Sequence, residues 1–242
     1  MLNEGKVRDE IPLCIAFELS NRCNYSHIHP ECPTDAKADP VFLDTDIIKD
    51  TIRFLGRSGY AGKGTIYFNV FNEPLIDPRL FMLLEYIKEH CGAGVCLYTN
   101  GWGLNQYMAD ELAKLNVGIT VSRYTDKEDE RLLKVVGPIG ARITLDPRFK
   151  TIYGSPPTRT GPCYFPSIYS IINHKGEHAL CCREYEWRHP LGDLKINTFE
   201  EVLKSEYRNE VCDRLEAGDR FLDACSRCPF PGWGVINDPF VG

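Results

Sequence analysis

The chain has 242 residues, 28 Lys plus Arg against 34 Asp plus Glu, a net charge of −6, and 43% hydrophobic residues. It can bury a large core as one domain, or as a large domain with a small appendix. No apolar run reaches the roughly 18 residues of a membrane span, and no Lys/Arg block marks a nucleic-acid surface. The polar start, MLNEGKVRDEIP, has no targeting stretch, so a cytoplasmic protein without membrane or nucleic-acid partners is expected. Against that background the 11 cysteines stand out. In a reducing compartment they point to metal or catalysis rather than disulfides.

The first 150 residues alternate strand and helix patterns. Leu13–Leu19 is a short apolar strand, and Asp46–Leu55 carries Ile47, Ile48, Ile52 and Leu55 at helical spacing. Thr65–Val70 is rich in β-formers, and Leu80–His90 is an apolar-striped helix. Strands follow at Val95–Thr99, Val117–Ser122 and Ala141–Leu145, with helices at Gln106–Leu115 and Glu128–Val136. Such alternation predicts a parallel sheet with helical crossovers. The chain is too short for a complete eight-unit barrel, so an incomplete TIM-like β/α barrel over residues 1–150 is expected.

The stretch Asp146–Gly161, rich in Pro, Gly, Ser and Thr, marks a boundary. Residues 151–242 then read as a small α+β unit. Ile168–Asn173 and Glu177–Cys181 flank His174-Lys175-Gly176 as a β-hairpin, and Thr198 with Glu201 forms a capping box. Cys163, Cys181, Cys182, Cys225 and Cys228 fall in this region. The 225/228 pair has a chelating C-x-x-C bite, and the hairpin can bring Cys163 and Cys181 to it. Four thiolates suit a structural zinc or an iron–sulfur cluster equally. Small buried hydrophobes are the alternative.

The run Cys163…Ile171-Ile172-Asn173-x-x-Gly176…Cys181-Cys182…Leu191-Gly192-Asp193…Thr198-Phe-Glu-Glu-Val202…Cys225-x-x-Cys228 resembles the twitch or SPASM extension of radical S-adenosylmethionine (SAM) enzymes. The resemblance implies an auxiliary four-iron four-sulfur (4Fe–4S) cluster on Cys163, Cys181, Cys225 and Cys228, with Cys182 left over. Cys182 and Cys212 are then candidate hydrogen-atom donors.

The N-terminal half is similar to the same family. Glu18-Leu19-Ser20-Asn21-Arg22-Cys23-Asn24 matches the strand that leads into its first cluster. The family then has C-x3-C-x2-C, whereas this chain has His27, Pro30 and a later Cys32. Cys14 is a poor third ligand, about five strand residues or roughly 17 Å below Cys23. Cys23 and Cys32 are therefore the expected thiolates, with His27 or His29 third. A neutral imidazole in place of a thiolate raises a cluster's potential. The alternatives are solvent-exposed histidines, or a site that binds no cluster.

Phe71-Asn72-Glu73-Pro74-Leu75 stands where the family has Gly-Gly-Glu-Pro, so Glu73 is expected to meet the SAM ammonium, with Asn72 in place of a Gly. Thr99-Asn100-Gly101 and Ser122-Arg123 fall at the next two strand ends, where the family holds the rest of SAM. Strand parity adds a reading from the residues alone. Ile15, Phe17 and Leu19 share the face toward helices, while Glu18, Tyr67, Asn69, Thr120, Arg142 and Thr144 line the other. That lining suits a hydroxylated or charged substrate, with Arg142 on the SAM carboxylate. A Glu18–Arg142 ion pair is the alternative.

The resemblance implies a radical SAM oxidoreductase with SAM and two 4Fe–4S clusters, supplied with electrons by a flavodoxin or ferredoxin. Its compact size is similar to cyclitol or aminosugar dehydrogenases and epimerases. A ribosomal-peptide maturase is the alternative within the class, and a non-catalytic metal-binding scaffold the alternative outside it.

Overall fold

The computed structural model describes residues 10–27, 32–34, 37–123, 132, 134–135, 142–145 and 161–228, with the backbone alone at 123 and 142–145. The N-terminal region alternates β1 (Cys14–Phe17), α1 (Thr45–Arg57), β2 (Thr65–Phe68), α2 (Leu80–His90), β3 (Gly94–Thr99), α3 (Gln106–Lys114), β4 (Val117–Arg123) and β5 (Arg142–Leu145). Of the helix expected over Glu128–Val136, only 132, 134 and 135 are described, and they are helical. Each element forms where its local chemistry allows. Asp44 caps α1 by accepting from the Asp46 N–H, and Asn105 caps α3 by accepting from the Met108 N–H.

β1 through β5 pair in parallel in sequence order, and β6 (Tyr169–Ile172) pairs in parallel with the free side of β1. β7 (Glu177–Ala179) and β8 (Gly192–Asp193) then add antiparallel, giving an eight-stranded open sheet ordered β5-β4-β3-β2-β1-β6-β7-β8. Neighbouring parallel strands in sequence order wind one way, as in a barrel, and place their crossover helices on one face. The sheet therefore crosses the boundary expected near residue 150. The hairpin that opens the C-terminal region extends the same sheet through the β1–β6 ladder.

That face buries Ile15, Phe17, Leu19, Ile66, Phe68, Leu97, Ile119 and Val121 against Ile48, Ile52 and Leu55 of α1, Leu83, Leu84 and Ile87 of α2, and Leu112 of α3. The parity expected from the sequence holds for β1 and β2, because alternate residues must point to opposite faces. The inner face carries a second, smaller cluster of Cys14, Ala16, Tyr67, Phe165, Ile171 and Trp187. It is less polar than the sequence suggests, since Phe71 from the β2 loop stacks on Tyr185 (5.0 Å) and Trp187 (5.4 Å).

The C-terminal region continues with α4 (Phe165–Ile168), before β6, and with α5 (Phe199–Lys204), α6 (Glu206–Glu216) and α7 (Asp223–Ser226) after β8. The Thr198–Glu201 capping box forms with both reciprocal bonds. Leu180, Leu191, Val211, Leu215 and Cys225 make a third core beneath α6 and α7.

Candidate active site and auxiliary metal centre

All six parallel strands end on one edge, and the segments that follow them build the site. After β1 the chain folds back on itself: Ser20 bridges Phe42, and Arg22 donates from Nη1 to the Ala38 carbonyl (2.9 Å). Arg79 locks this loop from below. It donates to the Leu19 (3.1 Å) and Leu43 (2.7 Å) carbonyls while paired with the buried Asp77 carboxylate (2.8 Å). The sequence reading missed this clamp, because Arg79 lies 60 and 36 residues along the chain from the Leu19 and Leu43 carbonyls it holds.

Cys23 sits in that loop, and burial pushes its thiol up to about 12 from the usual 9.0. The charges of Glu73 and Cys32 act in the same direction, while hydrogen bonds from the Tyr25 N–H and from Asn100 oppose them. Cys23, Cys32, Glu73 and Asn100 thus interact at one place. Cys32 lies 2.8 Å, Sγ to Oγ1, from Thr34. His27, on the same turn, is exposed. His29 lies outside the described residues.

Glu73 is the best-anchored group in the site. Its Oε1 accepts from the Thr99 hydroxyl (2.6 Å) and the Leu75 N–H (3.0 Å), and its Oε2 from the Asn100 N–H (2.7 Å). Burial raises its carboxyl pKa, and those three donors pull it back. Asn100 extends the network by donating from Nδ2 to Asn24 (2.8 Å). Gly101 turns the chain at φ +73°, where an added Cβ would lie 2.7 Å from Leu132. Only glycine fits there.

The loop after β2 is strained and polar. Val70 adopts φ +126°, a conformation β-branched residues rarely occupy, and such outliers cluster at ligand sites. Asn69 Oδ1 and both amide atoms of Asn72, flanking Val70 in the chain, and Ser26 Oγ, on the turn after Cys23, are buried without a hydrogen-bond partner. Buried polar atoms are nearly always satisfied, so this concentration fits a polar ligand. Thr120 and Ser122 of β4 are buried alongside. Tyr67 lies on the inner face, and its phenol is raised by burial.

Glu18 is almost fully buried and bonds to His174; the side chain of Arg142, its alternative partner, lies outside the described residues. The His174 N–H donates to Glu18 Oε2 (3.1 Å), and Nδ1 lies 2.6 Å from the same oxygen. The sequence reading took His174 only as a turn residue.

The second centre lies between α4, β7 and α7. A cavity of about 40 Å³ is lined by Cys163, Cys181, Cys225 and Cys228, with Arg183, Glu184 and Arg220 beside them. Burial raises the thiols of Cys181 well above their usual range, and that of Cys225 to about 12. In each case neighbouring cysteines add to the shift: Cys182, Cys225 and Cys228 on Cys181, and Cys163 and Cys228 on Cys225. Among the described residues, no three His, Cys, Asp or Glu side chains converge closely enough for a single metal ion. Tetrahedral zinc with bonds of about 2.3 Å needs its thiolates within about 4 Å of one another. The four cysteines ring one cavity, and four thiolates can hold a zinc ion or an iron–sulfur cluster. Cys182, beside Cys181, is not among the residues that line this cavity, and Cys212 is fully buried on α6.

Residues 163–229 match the SPASM family, described as an iron-sulfur cluster-binding domain. The structure superposes on BtrN in complex with AdoMet and 2-DOIA with a TM-score of 0.78 at 19% identity, over 92% of this chain and 95% of that one. An open conformation of BtrN gives 0.71 at 19% identity, over 92% and 94%. The structure of anSMEcpe with bound AdoMet and the Cp18Cys peptide gives 0.58 at 12% identity, over 90% and 88%. No curated protein matches the chain. The chain shares the fold of BtrN and anSMEcpe, and its residues 163–229 match the SPASM iron-sulfur cluster-binding domain.

Proposed function

We propose that this protein is a radical SAM oxidoreductase acting on a polar small molecule of the aminocyclitol or aminosugar type. The observation that carries the reading is the pairing of two prepared sites. One is the set of unsatisfied buried polar atoms on Ser26, Asn69 and Asn72 beside Cys23 and Glu73; the other is the cavity ringed by four cysteines. Cys23, Cys32 and His27 would hold the first cluster, and Cys163, Cys181, Cys225 and Cys228 the auxiliary one. When bound, the first cluster supplies the electron that cleaves the SAM sulfonium to a 5′-deoxyadenosyl radical.

The chain's own residues do the rest. Glu73, fixed by Thr99, Leu75 and Asn100, offers its remaining lone pair to the SAM ammonium, and Asn72 hydrogen-bonds the amino-acid portion. Asn100, Ser122 and Arg142 hold the remaining polar groups. Tyr67 and Asn69 face the substrate, with Glu18 bonded to His174 on the same inner face, while the Phe71–Tyr185–Trp187 wall excludes water from the radical. A flavodoxin or ferredoxin is the expected electron source, and an oxidation that removes two hydrogens needs no hydrogen-atom return from Cys182 or from Cys212, which is fully buried. The likeness to BtrN, bound to 2-DOIA, favours a cyclic polyol amine; the weaker likeness to anSMEcpe with a peptide supports a peptide substrate as the second reading.

The test is anaerobic incubation with SAM, reductant and either 2-DOIA or a precursor peptide, monitored by mass spectrometry. Loss of two mass units from 2-DOIA with formation of 5′-deoxyadenosine supports the first reading. The same loss from the peptide alone supports the second, and intact SAM with both rejects them together.

A further inference from the structure

We propose that Glu18 and His174 form a catalytic dyad in which His174 Nε2 is the general base for substrate oxidation; this rests on the dehydrogenase reading above. Glu18 ends the inner-face series Cys14, Ala16, Glu18 on β1, five residues before Cys23. Its side chain is 1% exposed and holds both the backbone N–H and the imidazole Nδ1 of His174 on one oxygen. A carboxylate only accepts, so Nδ1 carries a proton, and in the neutral imidazole Nε2 is then the acceptor. The imidazole keeps 14% exposure in the turn that follows β6, at the carboxyl edge of the sheet, and the proposed dyad places its Nε2 toward the cleft. A buried acceptor, a histidine fixed in one tautomer and an accessible second nitrogen together form a base–orienter arrangement.

The chemistry needs such a base. When a carbinol C–H hydrogen atom leaves to the 5′-deoxyadenosyl radical, the remaining carbon radical still carries its O–H. Forming C=O requires loss of that proton and of one electron. The proton goes to His174 Nε2, giving an imidazolium stabilised by Glu18, and the electron goes to an iron–sulfur acceptor. The imidazolium then releases its proton to water. Glu18 is thereby a positioning residue, and the tie from β1 to the hairpin turn is its structural by-product.

The test uses carbon-perdeuterated 2-DOIA with the reconstituted enzyme and its His174→Gln variant, whose amide can still donate to Glu18. Deuterium transfer into 5′-deoxyadenosine is expected to stay within about threefold, while oxidised product falls about a hundredfold or more. Unchanged product per deuterium transferred would overturn the dyad. A readout independent of turnover is acylation of His174 by diethyl pyrocarbonate, mapped by mass spectrometry. Fast modification that Glu18→Gln slows supports an oriented, accessible base, whereas an unreactive His174 overturns it whatever the substrate. No deuterium transfer in the wild type, with His174 reactive, would reject the cyclitol reading while supporting the base.

Discussion

The two cysteine sites of this molecule are built on opposite principles. The C-terminal cavity takes its cysteines from the entry to α4, the end of β7 and α7, and surrounds a void with them over a small core. The N-terminal site places Cys23 and Cys32 in one loop, with His27 exposed between them. It draws its rigidity from remote groups: the Arg79–Asp77 clamp, the Glu73 network and Asn100. A cavity formed by packed elements tolerates local change, whereas a loop held by a few charged bonds does not. The C-terminal site is the more robust of the two, and the N-terminal one the more easily broken.

The largest contrast is expected from single ligand losses. Cys23→Ser should abolish 5′-deoxyadenosine formation and leave about four irons per chain, measured by iron and sulfide analysis and product chromatography. Cys181→Ser should also lose about four irons, yet keep SAM cleavage without substrate oxidation. Equal loss of SAM cleavage in both variants would erase the distinction. A smaller effect follows at Glu73. Glu73→Gln removes a charged acceptor from the SAM ammonium and should weaken SAM binding about 10- to 100-fold by calorimetry, since such hydrogen bonds contribute about 1.5–3 kcal/mol.

Arg220 sharpens the C-terminal half of the comparison. It lines the cavity and its charge opposes the rise in the Cys225 thiol. A cation beside a cluster favours the more negative reduced state, so Arg220→Gln should lower the auxiliary cluster's potential, read by redox titration followed by electron paramagnetic resonance. The smallest effect concerns stability. His178 of β7 is wholly buried, bonded through Nε2 to Ser170 (2.9 Å), and burial with the nearby Arg208 charge lowers it to about 3. The unfolded chain binds this proton below about 6.5, the folded one only near 3. Stability should therefore fall as pH drops through that window, with a slope approaching 1.4 kcal/mol per pH unit that His178→Gln removes, measured by denaturant unfolding.

Much of this was legible in the sequence for a physical reason: strand parity and caps are local. The helix over Leu80–His90, the capping box at Thr198 and Glu201, and the inner position of Tyr67 each follow from residues within one turn or strand. That Cys163, Cys181, Cys225 and Cys228 come around one cavity was legible because the hairpin and the C-x-x-C bite impose their own spacing. Contacts between distant segments were not. Nothing local indicates that His174 lies on Glu18, 156 residues away, that Arg79 supports the loop after β1, or that Phe71 stacks on Trp187. Glu18 was read toward the substrate, with a pair to Arg142 as the alternative, because both have inner-face parity. Parity gives the face, but which residue reaches it depends on the β1–β6 pairing, which the local pattern does not reveal.

The most direct test of two unequal but functional sites is anaerobic reconstitution with iron, sulfide and cysteine, followed by SAM and a strong reductant. About eight irons per chain with 5′-deoxyadenosine formed is the expected result. About four irons with SAM intact would contradict it, leaving the C-terminal cluster on a scaffold without radical chemistry.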